Sequence, residues 1–289
     1  MLKRNLTALV LIVIALVFLL WLRVYHVALA DPLFYAFMVV GAFEMWQVGR
    51  KSGYNALPIP LFFFAVAFYP LFWFYSLTGA TFAFFLAAIL AFSDYIFERR
   101  KYEVKDLLYT FLILVYPMLL SSAFFYINHD AGGLLGLVCV LAVTLLSDAF
   151  ALFAGVLFGK KKLIEDVSPK KTVAGVFGAY FGGLVGATAT FLLFDLFGVA
   201  SELPNVGLLS LTDKYGLSIA LYFSLAILST TLAIFGDLAA SLLKRKLCVK
   251  DFGKIFPGHG GVMDRLDSLL FVAPLVALFF TIYNGVVGV

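Results

Sequence analysis

Apolar residues run along this chain in blocks of about twenty, separated by short stretches where charges gather. A block of that length is what a helix needs to cross ~30 Å of hydrocarbon. Only a helix satisfies its own backbone polar groups there without help from other segments. Nine blocks can be marked, at about 5–22, 32–49, 57–76, 78–97, 107–127, 132–158, 173–199, 215–243 and 265–288. The pattern predicts an all-α, polytopic integral membrane protein with about nine transmembrane helices. Pro58, Pro60 and Pro70 predict an irregular or kinked third block. Ser76-Leu77-Thr78-Gly79 predicts a tight turn between neighbouring helices.

Charge then gives the helices a direction. With the N-terminus and every even-numbered loop on one side of the membrane, that side collects 19 of the 21 lysines and arginines, leaving only Arg23 and Lys214 opposite. Basic loops stay in the cytoplasm. The expectation is a cytoplasmic N-terminus and a C-terminus outside. Residues 1–130 read as membrane spans for scaffold or dimerisation, and residues 131–289 as the membrane region that carries the polar loops, at 159–172 and 244–264 on the cytoplasmic side.

Composition agrees and excludes other classes. The chain is 63% hydrophobic and 13% charged, with a mean hydropathy of +1.04, so a soluble globular domain is ruled out. Lys3 and Arg4 before an apolar run, with Ala28-Leu29-Ala30 after it, imitate a secretory signal. The 6–22 run exceeds the usual ~7–15-residue signal core, and Arg23 and His26 precede the Ala-x-Ala, so an uncleaved first span is expected. Cys139 and Cys248 have neither disulfide nor metal-ligand spacing.

Acids inside spans are costly, and each is a functional candidate. Asp148 lies eleven residues before Gly159, ~16 Å below the cytoplasmic end of its helix. Asp237, Ser241 and Lys244 follow an i, i+4, i+7 spacing and line one helix face. Asp264 and Asp267 are i, i+3 and would share a face of the next helix. Three converging carboxylates need a positive charge between them, supplied either by nearby lysines and arginines or by a hard divalent cation. All-oxygen ligands favour Mg²⁺, which keeps one or two protein carboxylates and fills its shell with water and phosphate. Glu44 and Asp94 have a plainer reading, reaching the interface or pairing with Arg50, Arg99 or Arg100. Asp195 reads as interfacial near the outer end of its helix.

Two basic loops supply the anion-binding groups. Ser168-Pro169 predicts a turn opening a helix, with Lys170, Lys171 and Thr172 near its start, where amides, lysines and a hydroxyl suit phosphate. The run Lys160-Lys161-Lys162 reads better as a patch for acidic headgroups. In the second loop Gly258, Gly260 and Gly261 let backbone approach an anion, and His259 reads as a phosphate contact or loop organiser rather than a general base. No Gly-x-x-x-x-Gly-Lys-Ser/Thr occurs.

The run Ser241-x-x-Lys244-Arg245-x4-Lys250-Asp251-x-Gly253-x2-Phe256-Pro257-x-His259-Gly260-Gly261-x2-Asp264-Arg265-x-Asp267 resembles, without a gap, the signature of phosphatidate cytidylyltransferases (CDP-diacylglycerol synthases). The likeness extends back to Asp148, Phe158-Gly159-Lys160 and the 168–172 cluster, about the C-terminal half. Leu152 and Ala174 depart from the aromatic and the acidic or amide side chains frequent in the family.

Membership implies condensation of CTP with phosphatidic acid to CDP-diacylglycerol and pyrophosphate, with Mg²⁺. Asp237 and Asp264 would be metal ligands, and Asp267 a third carboxylate. Lys244, Arg245, Lys250 and Arg265, with His259, Gly260 and Gly261, would neutralise the triphosphate. Ser168, Lys170, Lys171 and Thr172 would hold nucleotide or lipid phosphate, and Asp148, Ser241 and Asp251 would complete the substrate site. The implied setting is a bacterial inner membrane with a cytoplasm-facing active site. Its partners would be CTP, phosphatidic acid and the bilayer, with no nucleic acid and room for a homodimer. The rivals are a CTP-using lipid kinase, or an archaeal-type lipid cytidylyltransferase, which the full His-Gly-Gly…Asp-Arg-x-Asp run disfavours. A transporter would scatter its charges through several spans.

Overall fold

The structure is a computed structural model that describes residues 17–198, 205, 208, 210–212, 215–256 and 260–287. Lys3, Arg4, Lys214 and His259, together with most of the first apolar block, lie outside the described residues. The chain is an all-α, polytopic integral membrane protein, with seven described helices long and apolar enough to cross a membrane. The main helices are α1 (Asp31–Lys51), α2 (Pro58–Phe97), α3 (Val104–Ile113, continued in π and α form to His129) and α4 (Gly133–Phe158). They are followed by α5 (Val173–Phe191), α6 (Tyr215–Lys246), a short α7 (Met263–Leu266) and α8 (Leu269–Val287).

The 40 residues of α2 would reach ~60 Å if straight, twice the hydrocarbon thickness. They are not straight. Ser76 takes φ 52° and ψ −138°, outside the helical region. A Cβ at Gly79 would overlap the Leu71 carbonyl, although eight residues of straight helix would separate them by ~12 Å. The chain therefore folds back at the predicted 76–79 turn, and α2 is two helices joined at Ser76.

The residues fall into two compact bodies, each drawing on sequence from both sides of residue 130. The first holds 32–126 and 244–266. Phe64, Phe68 and Phe72 stack along α2 at i, i+4 spacing, and Phe125 packs edge-on against Phe68 and Phe34. A reciprocal capping box between Glu103 and Asp106 opens α3, and Asp106 also accepts the Asn55 amide at 2.7 Å. Tyr109 donates to the Met45 carbonyl at 2.7 Å, tying α3 to α1.

The second body holds 17–31, 127–243 and 267–287 among the described residues. Gly178, Gly182 and Gly186 form an i, i+4, i+8 stripe on α5, where any side chain would strike Ala154, Leu146 or Ala142 of α4. Small residues let helix backbones close up in lipid, where apolar burial gives no net drive. Arg23 is buried and bonds Asn128, which in turn bonds Asp31. Asp195 accepts from Ser218, Tyr222 and the Leu211 amide, so it is tied into the body as well as lying near a helix end.

Between α4 and α5 the chain makes a small antiparallel hairpin of β1 (Lys162–Ile164) and β2 (Ser168–Thr172). Here the helix-start reading of Ser168–Thr172 is corrected. Those residues are extended because they pair with 162–164, and only Thr172 acts as a helix cap, its hydroxyl taking the Gly175 amide at 3.1 Å.

Candidate active site

In the second body the hairpin, α4, α5 and α6 surround a cavity of about 520 Å³. Six residues singled out from sequence line it: Asp148, Ser168, Lys170, Lys171, Thr172 and Asp237. Helix α4 brings Asp148 and α6 brings Asp237, while β2 presents both lysines. Lys171 Nζ lies 2.7 Å from Asp237 Oδ2, with the two side chains 24% and 34% exposed. Ser241 approaches the other oxygen of Asp237 at 3.4 Å, one turn along α6. At this exposure water screens the ion pair and it adds little stability. The same screening leaves both groups within reach of a ligand.

Lys162 also lines the cavity. The sequence reading placed it in a headgroup patch. Its partner in the hairpin is Thr172, and that pairing, which no local pattern reports, sets it at the exposed edge of the cavity.

In the first body the loop from Lys244 to Asp264 is organised around one carboxylate. Asp264 Oδ1 pairs with Lys244 Nζ at 2.9 Å. Its Oδ2 accepts the amides of Phe252 at 2.8 Å, Gly261 at 2.9 Å and Gly253 at 3.5 Å. Lys244 also sits over the Phe252 ring, 5.4 Å from its centroid. Phe256 and Gly260 pair across the tip, and Gly260 has φ +82°, a conformation that favours glycine. Arg245, Lys250, Asp251 and Arg265 are exposed along this loop.

Two expectations need correcting here. Asp264 and Asp267 do not share a helix face, because α7 ends at Leu266 and Asp267 lies in the turn before α8. Asp267, in the second body, takes the amide of Ser268 at 2.8 Å. Glu44 is neither interfacial nor paired with Arg50. It is 4% exposed and accepts the Met263 amide at 2.9 Å.

The oxygen donors can be tested against a divalent cation. Among the described residues no three His, Cys, Asp or Glu side chains gather to hold a metal. Asp237 suits a hard ion that keeps few protein ligands. Only one of its oxygens is closely engaged, and the cavity adds the Asp148 carboxylate and the Ser168 hydroxyl. On Asp264 three amides converge on Oδ2, one of them at 3.5 Å, and Lys244 occupies Oδ1. A cation approaching Oδ1 would meet the Lys244 ammonium.

Residues 2–283 match the cytidylyltransferase family. A phosphatidate cytidylyltransferase of Thermotoga maritima is 38% identical over 176 residues, which is 61% of this chain and 60% of the relative. Those of Helicobacter pylori and Bacillus subtilis are 40% and 35% identical over 162 and 160 residues, covering 56% and 54% of this chain. The chain thus spans only 60%, 53% and 51% of these three relatives. With a family match running almost end to end, the chain belongs to the cytidylyltransferase family.

Proposed function

We propose that the protein condenses CTP with phosphatidic acid to give CDP-diacylglycerol and pyrophosphate. The observation that carries this reading is the cavity at the ends of membrane helices, where Lys170, Lys171 and Thr172 face Asp148 and Asp237. A phosphate-binding edge and carboxylates in one lipid-adjacent pocket suit the joining of a water-soluble triphosphate to a lipid phosphate. Family membership and the names of the relatives support it.

An oxygen of the phosphatidate phosphate attacks the α-phosphorus of CTP. A new P–O bond forms, the bond to the β-phosphate oxygen breaks, and pyrophosphate leaves with that electron pair. The nucleophile needs no general base, because a phosphate monoester is already largely ionised near neutral pH, its second pKa being about 6. What the reaction needs is neutralisation and alignment of two polyanions. Lys170 and Lys171 would bind phosphate oxygens, with Ser168 and Thr172 as hydroxyl donors. Lys244, Arg245, Lys250 and Arg265, with His259, Gly260 and Gly261, would neutralise the triphosphate and leaving pyrophosphate. Mg²⁺ would be held in the cavity by Asp237, with Asp148 beside it in the lining, and would withdraw charge from the reacting phosphates; Asp264, in the other body, would take a cation only by displacing Lys244. Asp267, Ser241 and Asp251 would orient neighbouring groups.

The finer topology belongs to the same proposal. The fold-back at Ser76 divides one of the seven described spans in two, and a first span at 5–22 would make nine. Under the positive-inside rule the N-terminus and the active site would face the cytoplasm and the C-terminus the outside, and the membrane would be a bacterial inner membrane. A homodimer would suit so apolar a bundle.

Product analysis with radiolabelled CTP and a panel of lipids tests the reading. CDP-diacylglycerol formation only with phosphatidate supports it. CDP plus a phosphorylated lipid would replace it with a lipid kinase.

A further inference from the structure

We propose that Glu44 is a positioning residue that fixes the 250–264 loop from a helix outside the signature. This rests on the reading that the loop serves nucleotidyl transfer. Glu44 lies seven residues before the end of α1, ~10 Å inside it. It is 4% exposed and forms no ion pair among the described residues. One oxygen takes the Met263 amide at 2.9 Å, and the other, Oε1, is buried with no hydrogen-bond partner. A carboxylate buried with so few partners is costly, and that cost must be offset by what it supports.

What it supports is visible at two glycines. A Cβ built at Gly253 or at Gly261 would strike the Glu44 carboxyl group, whose atoms are the three nearest in both cases. Neither glycine has a positive φ, so the backbone itself would tolerate alanine. It is the carboxylate that excludes a side chain. The amides of these same glycines point at Asp264 Oδ2. The two turns are therefore gripped from two sides, by Asp264 through their amides and by Glu44 against their α-carbons. Met263, whose amide Glu44 accepts, is the first residue of α7 and precedes Asp264. Glu44 thus sets where α7 begins, and through Asp264 it sets Lys244.

An alanine methyl at position 253 is accommodated by driving the carboxylate off the Met263 amide, so G253A and E44A inflict the same damage. The test compares E44A, E44Q, G253A and E44A/G253A by steady-state turnover and by hydrogen–deuterium exchange of residues 250–266 in detergent. E44A is expected to lower kcat about 100-fold, the scale of a misplaced catalytic group, with the KM for phosphatidate and the melting temperature little changed. Exchange at the Phe252, Gly261 and Met263 amides should rise at least about tenfold, as local opening of the loop requires. E44Q, which keeps an acceptor of the same size, should recover most of the loss. The double variant should fall no lower than either single one, because both remove one interaction.

Multiplying effects in the double variant, or unchanged exchange in E44A, would overturn the proposal. If E44A does not fold, E44D decides. Its side chain is one methylene shorter and leaves room at position 253, so G253A must cost less in that background than in the native one, and an equal cost overturns the idea. If the native protein makes no CDP-diacylglycerol yet the exchange pattern follows, the nucleotidyltransferase reading fails and the positioning role stands.

Discussion

Asp264 and Asp237 are both acids near basic side chains, yet they are treated differently. Asp264, in the 244–266 loop, is addressed by Lys244 and three backbone amides, and its side chain is 4% exposed. Asp237, on the cavity wall of the other body, has one close lysine and a long hydroxyl contact, and its side chain is 34% exposed. A carboxylate saturated by its own chain builds a loop. One left with open acceptor capacity and water beside it is available to a ligand. Charge density along the sequence marks both regions without telling them apart.

That contrast predicts a graded series of effects. The largest belongs to D264N, which removes the charge facing Lys244 and one amide acceptor. Breaking such a buried pair costs about 3–5 kcal/mol, so both turnover and the detergent melting temperature should collapse. Near-native melting would erase the distinction. D237N comes next, with an expected loss of about 100-fold in kcat, ~2.7 kcal/mol in the transition state, and a melting shift of only a few degrees. Unfolding as severe as that of D264N would show that Asp237 is structural too.

K171M should raise the KM for CTP about tenfold, ~1.4 kcal/mol of binding, and leave melting unchanged. Titration of initial rates against CTP checks it, and an unaltered KM would remove β2 from the nucleotide site. T172A should cost about 1 kcal/mol through the lost cap of α5, read as a small drop in melting temperature. Smallest is S76G in the fold-back of α2, where φ 52° favours glycine. It should be neutral or stabilising by up to about 1 kcal/mol, and a clear destabilisation would mean the Ser76 side chain holds the turn.

The seven described spans, the 76–79 turn and six of the seven polar residues around the cavity were legible from sequence, by different routes. Block length and Ser-Leu-Thr-Gly chemistry are local signals. Asp148, Asp237 and the 168–172 cluster stood out because polar groups are expensive inside apolar segments. What failed was whatever depended on a partner distant in sequence. Ser168–Thr172 has the residues of a helix start, yet pairing with 162–164 makes it a strand and brings Lys162 to the cavity. Asp264 and Asp267 have helical spacing, but the helix stops between them. Glu44 stands out by depth and reads as interfacial or paired with Arg50, Arg99 or Arg100, when its partner is an amide more than two hundred residues away.

The sequence alone thus determined that this protein lives in a membrane, where its described spans run and most of the polar residues that line its cavity. Hydrophobicity and the cost of charge in lipid act on each segment by itself, so a single pass along the chain can read them. Tertiary structure alone decided which of those carboxylates are saturated and which stay open. The groups that saturate Asp264 and hold Glu44 are largely backbone amides, and nearly every residue has one, so nothing in the sequence marks the few that were chosen.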